Sequence, residues 1–88
     1  MTTIKVIHNL GDTEYLVLKS MIGDVGGKFS VNDIVDYLID YGHRDNIKTT
    51  LLAMQNLIRL YKKGLVKRGD DYDVDTLYWV NIDIRIEL

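Results

Sequence analysis

The sequence predicts an α+β domain in which three helices precede a C-terminal β-hairpin. Apolar residues recur with the period of a helix in three segments bounded by turn-forming residues, and they alternate with the period of a strand over residues 77–88. The chain has 88 residues, of which 47% are apolar, so it has material for one small core. We therefore expect a single domain over residues 1–88.

The N-terminal part predicts a short strand followed by a helix. Residues 3–8 are rich in β-branched side chains, which favours an edge strand or an arm. Helix one is expected over residues 13–22, with Asp12 or Thr13 as its N-cap and Glu14 near the positive end of the helix. Its apolar stripe should contain Tyr15, Leu18 and Ile22.

Helix two is predicted from a capping signal and a glycine. Ser30 and Asp33 have the spacing of a capping box, and Gly42 should end the helix after Tyr41. Three aspartates share one face and should point to solvent: Asp33, Asp36 and Asp40. The buried stripe is expected to consist of Val31, Ile34, Val35 and Leu38.

Helix three is the most clearly patterned element. Asp45 or Asn46 should cap it, it should span residues 47–63, and Gly64 should end it by adopting a left-handed conformation. At 100° per residue the side chains separate into two arcs. We expect the apolar arc to face the core: Leu60, Ala53, Leu57, Tyr61, Met54, Ile47, Ile58 and Leu51. The polar arc contains Lys62, Gln55, Lys48, Arg59, Lys63, Asn56 and Thr49, with Leu52 as its one apolar member.

Two strands should complete the domain as a hairpin. The first begins at residues 65–68, and residues 69–76 form an acidic loop. Residues 77–88 alternate with period two, which predicts one long half-buried strand. Its apolar face should contain Tyr78, Val80, Ile82, Ile84, Ile86 and Leu88.

Charge is distributed very unevenly along the chain. Residues 43–68 carry seven cations and one anion, a local charge of +6, whereas the rest carries four cations and twelve anions, a charge of −8. A basic helix and strand in an otherwise acidic chain is typical of a small nucleic-acid-binding domain that uses a single face.

Several classes of function are not indicated. The chain has no cysteine, so it offers no disulfide framework and no thiol chemistry, and a reducing, cytoplasmic location is expected. His8 and His43 are isolated, and Asp71, Asp73 and Asp75 lack the glycine and glutamate of a calcium loop. No apolar run has the length of a membrane span. We therefore expect no enzymatic activity, no metal, no cofactor, no small-molecule effector and no membrane partner.

The order of elements resembles the winged helix-turn-helix family of DNA-binding regulators. The resemblance covers about residues 12–82, and its most telling segment is residues 57–66, LIRLYKKGLV, which looks like the end of a recognition helix and the start of a wing. Residues 12–19 and 29–34 are similar to the first two helices of small prokaryotic repressors of the penicillinase-repressor or MarR-like type, a size also found in archaeal viruses. The resemblance implies binding of double-stranded DNA by a recognition helix over residues 46–63.

In this interpretation helix three enters the major groove with its polar arc. Base contacts are expected from Lys48, Thr49, Leu52, Gln55 and Arg59. Phosphate contacts are expected from Arg44, Lys62, Lys63, Lys67 and Arg68. The function predicted is sequence-specific regulation of transcription.

Alternatives remain at this stage. The polar arc is also compatible with an ordinary solvated helix face. The apolar arc of helix three and the acidic loop fit a winged-helix module that docks onto a larger protein complex without binding DNA. The aspartates of helix two and the acidic loop, if they form one surface, fit an acidic mimic that titrates a basic partner. Because the apolar arc is broad and the last strand ends in large apolar residues, we expect a homodimer formed through the N-terminal segment, helix one or the C-terminal strand. In the alternative, these side chains complete the core of a monomer.

Overall fold

The computed structural model describes residues 2–5, 9–24, 27–69 and 76–88. Three helices and four short strands follow one another in the order β1, α1, α2, α3, β2, β3 and β4. Their bounds are Thr2–Lys5 for β1, Asp12–Ile22 for α1, Val31–Asp40 for α2, Ile47–Lys62 for α3, Val66–Arg68 for β2, Tyr78–Val80 for β3 and Ile84–Glu87 for β4. The predicted loop over residues 69–76 lies mostly outside the described residues.

The predicted cap of α1 was wrong, and of its expected buried stripe only Leu18 is fully buried. Gly11 is the N-cap and no side chain caps the helix, so neither Asp12 nor Thr13 has the expected role. The buried face contains Glu14, Val17, Leu18 and Met21, while Tyr15 and Ile22 are only half-buried. Glu14 lies on this buried face and pairs with Lys63 of α3.

The prediction for α2 is confirmed in detail. The Asp33 N–H donates to Ser30 Oγ at 3.3 Å and the Ser30 N–H donates to Asp33 Oδ2 at 2.8 Å, which completes a capping box. Gly42 has a φ of +100°, the left-handed conformation that ends the helix. All four residues of the expected stripe are buried: Val31, Ile34, Val35 and Leu38.

The bounds of α3 also follow the sequence. Asn46, one of the two candidate caps, accepts a hydrogen bond from the Thr49 N–H at 3.1 Å. At the other end Gly64 has a φ of +76°. The chain then turns directly into β2, which pairs antiparallel with β3, while Phe29 adds an isolated bridge to Tyr78 on the other side of β3.

The long C-terminal strand was predicted wrongly, because it is broken at Asn81. The Asn81 N–H donates to the Leu65 carbonyl at 3.0 Å, its amide Nδ2 donates to the Gly64 carbonyl at 2.8 Å, and its Oδ1 accepts from the Asp83 N–H at 3.0 Å. A side chain that bonds locally to the backbone in this way favours a turn over a strand. Ile82 is consequently 66% exposed instead of facing the core.

Beyond this turn the chain returns to its own beginning. β4 pairs with β1 in parallel, with Thr2 opposite Ile84 and Lys5 opposite Glu87. The predicted N-terminal strand is therefore present over Thr2–Lys5, and its residues 6–8 lie outside the described residues. The described residues therefore contain the predicted hairpin, β2–β3, and a second, separate two-stranded sheet, β1–β4.

One core joins the helices to the β2–β3 hairpin. α3 packs against α1, α2 and β2, and α1 also contacts β3. The buried apolar residues are Val17, Leu18, Met21, Phe29, Val31, Ile34, Val35, Leu38, Ala53, Leu57, Leu60, Leu65, Val66 and Tyr78.

Candidate nucleic-acid interface

The orientation of α3 about its own axis decides which side chains meet solvent. Its buried face consists of Thr49, Ala53, Asn56, Leu57 and Leu60. The expectation that the whole apolar arc faces the core was therefore wrong: Ile47 is 70% exposed and Leu51 is 49% exposed. The helix is rotated so that two residues of the predicted polar arc are inside and several apolar residues are outside.

Thr49 was predicted to contact bases, and the structure contradicts this. It is 4% exposed, and its hydroxyl donates to the Arg44 carbonyl in the turn that precedes the helix. Asn56 is buried in a similar way, with its Nδ2 donating to the Leu52 carbonyl at 2.7 Å. Both polar side chains are tolerated in the core because nearby backbone carbonyls satisfy them.

Leu52 is also placed differently from the prediction. It is half-buried and packs against the core, so it lies at the border of the exposed face and not at its centre. Its apolar side chain is explained by packing alone.

The three remaining predicted base contacts and one predicted phosphate contact, Lys62, form one continuous line on the exposed surface. We call Lys48, Gln55, Arg59 and Lys62 the basic ridge; all four are exposed. At 100° per residue these positions fall within about 60° of one another around the helix. They span 14 residues, or about 21 Å along the axis at 1.5 Å per residue. No Asp or Glu occurs anywhere in α3, so the ridge has no carboxylate from its own helix.

The predicted phosphate contacts divide into two groups. Arg44, in the turn before α3, is exposed, as is Lys62 at the end of the helix. Lys63 has a different set of contacts, because its Nζ lies 2.5 Å from Glu14 Oε2 and also donates to the Asn9 carbonyl at 3.0 Å. This ammonium group already has two oxygen partners within the chain, so Lys63 is better explained as a structural contact between α3 and α1.

The two basic residues of β2 are each engaged by a neighbour. Lys67 pairs with Asp83 on the surface, in a contact of the exposed kind that contributes little stability. The Arg68 guanidinium lies over the Tyr61 ring, 4.1 Å from its centroid, in a cation–π contact. Arg68 is therefore held next to the C-terminal end of α3, where its charge adds to the positive surface.

A second exposed line on α3 is apolar and consists of residues that were expected to face the core. Ile47, Leu51, Met54, Ile58 and Tyr61 follow one another at spacings of 4, 3, 4 and 3 residues, and we call them the α3 seam. Ile47, Leu51 and Tyr61 are exposed, while Met54 and Ile58 are half-buried. The spacing is visible in the sequence, but it was merged with the neighbouring core stripe of Ala53, Leu57 and Leu60.

Acidic side chains lie on other elements. Asp33, Asp36 and Asp40 are exposed on α2, as predicted, and with Asp24 they line an open surface pocket of about 360 Å³. Within the described residues no group of three or more His, Cys, Asp or Glu side chains is arranged to hold a metal ion. In the same part of the chain, every helix is too short or too polar to cross a membrane.

Comparison with known proteins yields a structural match but no sequence match. No protein-family model and no curated protein matches the sequence. A solved structure of HOP2, described as covering its DNA recognition and protein interaction domains and its homologous DNA pairing properties, superposes with a TM-score of 0.62 at 14% identity. The match covers 78% of this chain and 98% of that one. At this identity the likeness shows the fold, and the chain has the three helices and β-hairpin of a winged-helix α+β domain.

Proposed function

We propose that this chain binds double-stranded DNA through α3 and regulates transcription. The observation that carries the proposal is the basic ridge: Lys48, Gln55, Arg59 and Lys62 are exposed along one line of a helix that contains no acidic residue. An α-helix fits the major groove, and a line of basic and amide side chains matches the acceptors that guanine and adenine present there. The winged-helix fold supports the proposal by analogy.

The residues of the ridge have different roles in this proposal. Gln55 pairs with adenine and Arg59 with guanine, because each can form two parallel hydrogen bonds to the base edge, and Lys48 contacts a base nearer the start of the helix. Arg44 and Lys62 lie beyond the two ends of this group and contact phosphates, with Lys67 and Arg68 adding charge from β2. Thr49 and Lys63 are not included, since their polar groups are engaged within the chain.

Regulation of transcription, in this proposal, depends on a dimer of the chain. We propose a homodimer that presents two copies of α3 to a pseudo-palindromic site. Bound at a promoter, the dimer would either block access to the promoter or recruit the transcription machinery to it. The C-terminal sheet is the proposed contact. Ile82 and Leu88 are exposed there, and Ile22, Ile84 and Ile86 line an open, largely apolar pocket of about 320 Å³.

A titration with duplex DNA tests the first step. Fluorescence anisotropy of a labelled random-sequence duplex measures the association constant over a series of salt concentrations. The logarithm of this constant should fall linearly with the logarithm of the salt concentration. The expected slope is near −0.9 for each phosphate contact, or about −3 to −4 for each subunit. On a duplex that carries a site selected from a random pool, Arg59→Ala and Lys48→Ala should each weaken binding by about 5-fold to 150-fold, since a good base contact is worth ~1–3 kcal/mol.

Lys19→Ala is the matched control, because Lys19 is an exposed lysine on α1 and not on α3. Its loss should change affinity by less than about 2-fold, as expected for a distant surface charge. Absence of binding at low salt, or equal losses in all three variants, would contradict a specific role for α3. Selection of sites from a random duplex pool, followed by a reporter with the selected site at its promoter, tests regulation.

A further inference from the structure

The α3 seam has the repeat of a helix–helix interface. Its spacings of 4, 3, 4 and 3 residues are those of the apolar positions of a coiled coil. It is distinct from the buried stripe of Thr49, Ala53, Asn56, Leu57 and Leu60 on the same helix, and of its members Met54 also packs against the core. The helix therefore has two apolar faces, and only one of them is covered within the described residues.

A DNA groove does not explain the whole length of the seam. From Ile47 to Tyr61 it extends about 21 Å at 1.5 Å per residue, whereas the major groove is about 12 Å wide and its only apolar group is the thymine methyl. Ile47 and Leu51 could meet such a methyl at the start of the helix. Ile58 and Tyr61, more than two turns further along, need another partner.

Positive charge along one border of the seam and at its C-terminal end determines what that partner must look like. Lys48, Gln55 and Lys62 follow the seam residues Ile47, Met54 and Tyr61 directly in sequence, and so lie along one border. At the C-terminal end of the seam, the Arg68 guanidinium lies over the Tyr61 ring. In a coiled-coil pair the residues that flank the apolar line face charged residues of the partner, so these cations select carboxylates.

A second copy of the chain does not meet this requirement. Pairing α3 with α3 of another copy in the antiparallel direction brings Lys48 near Lys62, and neither helix has a carboxylate to compensate. α2 is acidic, but its apolar residues Val31, Ile34, Val35 and Leu38 are already buried in its own core. The partner must instead be a helix with its own free apolar stripe.

We infer that the α3 seam is a docking site for an acidic amphipathic helix of a partner protein, with Ile47, Leu51, Met54, Ile58 and Tyr61 covered by its apolar stripe and the bordering cations paired with its carboxylates. Leu51 and Ile58, near the middle of the seam, contribute most of the contact, since the centre of such an interface is the best desolvated.

A designed peptide pair tests this inference. The acidic peptide is a 21-residue helix with Leu at the two core positions of each heptad and Glu at the flanking positions, and its Glu–Glu repulsion disfavours self-pairing at neutral pH. Its twin has Lys in place of each flanking Glu. Anisotropy of the labelled peptides with the whole chain, without DNA, should show at least ~10-fold tighter binding of the acidic peptide, as electrostatic complementarity requires.

Variants of the chain then separate docking from general charge attraction. The double variant Leu51→Asn with Ile58→Asn should weaken binding of the acidic peptide by at least ~10-fold, because it removes two apolar contacts. Leu77→Asn, a change at another exposed leucine, should have less than about a 2-fold effect. Circular dichroism verifies that both variants are folded.

Three results would overturn the inference: no binding of the acidic peptide at low salt, equal binding of the acidic and basic twins, or full binding by the double variant. Because no DNA is present, the outcome is independent of the proposed function. A chain that binds the peptide and not DNA would remove the DNA proposal and retain the docking site.

Discussion

Lys62 and Lys63 are neighbours in the sequence and have different environments in the structure. Lys62 is exposed at the end of the basic ridge, whereas Lys63 reaches back to Glu14 and to the Asn9 carbonyl at the start of α1. Glu14 is 7% exposed, so its carboxylate depends on this ammonium group. Lys63 therefore contributes to the stability of the fold, whereas Lys62 is free of such a contact within the described residues and contributes to the proposed binding surface.

Substituting each lysine with alanine should reveal this difference. Lys63→Ala leaves a buried carboxylate unpaired, and we expect the free energy of unfolding to fall by about 1–2 kcal/mol, less than for a fully buried pair because Lys63 is partly exposed. Lys62→Ala should change it by less than about 0.5 kcal/mol. Urea denaturation measures both values.

The double variant Lys63→Ala with Glu14→Gln provides the control for this prediction. Once the carboxylate is removed, the loss of Lys63 should have a smaller effect than in the parent chain, and a double-mutant cycle gives the difference. Equal effects in the two backgrounds would mean that Lys63 stabilises the fold by another contact.

Residues such as Thr49 and Asn56 also show where sequence patterns reach their limit. Both are polar, and a helical wheel assigns them to the solvent side, but backbone carbonyls of Arg44 and Leu52 satisfy their donors inside the core. Whether such an acceptor exists depends on the path of the preceding turn and on the helix itself. A wheel drawn from side-chain type alone contains neither.

At the scale of elements, the sequence predicted where helices begin and end better than it predicted which way they face. Ser30, Gly42 and Gly64 act through local backbone geometry, so their signals could be interpreted correctly. The rotation of α3 depends on a choice between two apolar stripes, one through Leu57 and one through Leu51. The stripe through Leu57 is buried because it contacts α1 and α2, and these contacts depend on the assembled fold.

Gly64 provides a test of the element that connects α3 to β2. Its φ of +76° is unfavourable for any residue with a Cβ, although the space around it is open. Gly64→Ala should therefore lower the free energy of unfolding by about 1–2 kcal/mol through backbone strain alone. Thermal denaturation followed by circular dichroism measures the change.

Gly69 is the matched control for this test. The space for a Cβ is open there too, and its φ is not in the left-handed region. Gly69→Ala should be neutral or should stabilise the chain by up to about 1 kcal/mol, because alanine reduces the freedom of the unfolded state. A loss at Gly69 as large as that at Gly64 would show that conformation is not the cause.

The C-terminal strand is the element that the sequence predicted least well. Its alternation continues through Asn81 and Ile82 without interruption, so periodicity indicated one strand. The break arises from the side chain of Asn81, which accepts from the Asp83 N–H and donates to the carbonyl of Gly64, after α3. Such long-range partners have no signature in a single sequence.

At the scale of the whole molecule, opposite charges are separated on different elements. The largest group of exposed aspartates, Asp33, Asp36 and Asp40, lies on α2, and most of the cations lie on α3 and the segments that flank it. The overall charge of −2 conceals this separation. A polyanion should approach with the α3 side foremost, since the α2 side repels it.

The proposed dimer is tested by its exposed apolar residues. If the C-terminal sheet forms the contact, Ile82→Lys should weaken self-association by at least ~10-fold, because a charge would be buried against an apolar surface. Ile47→Lys is the control, since Ile47 is similarly exposed but lies on α3. Sedimentation equilibrium measures both, and a parent chain that is monomeric at micromolar concentration would contradict the dimer.

The parallel pairing of β1 with β4 affects how the domain responds to mechanical force. Thr2 lies beside Ile84 and Lys5 beside Glu87, so the two strands point the same way. The start of β1 and the end of β4 therefore lie at opposite ends of this sheet. A tether before Thr2 and another after Glu87 would slide the strands past each other and load all their hydrogen bonds together. Such shear resists pulling far better than peeling one bond at a time.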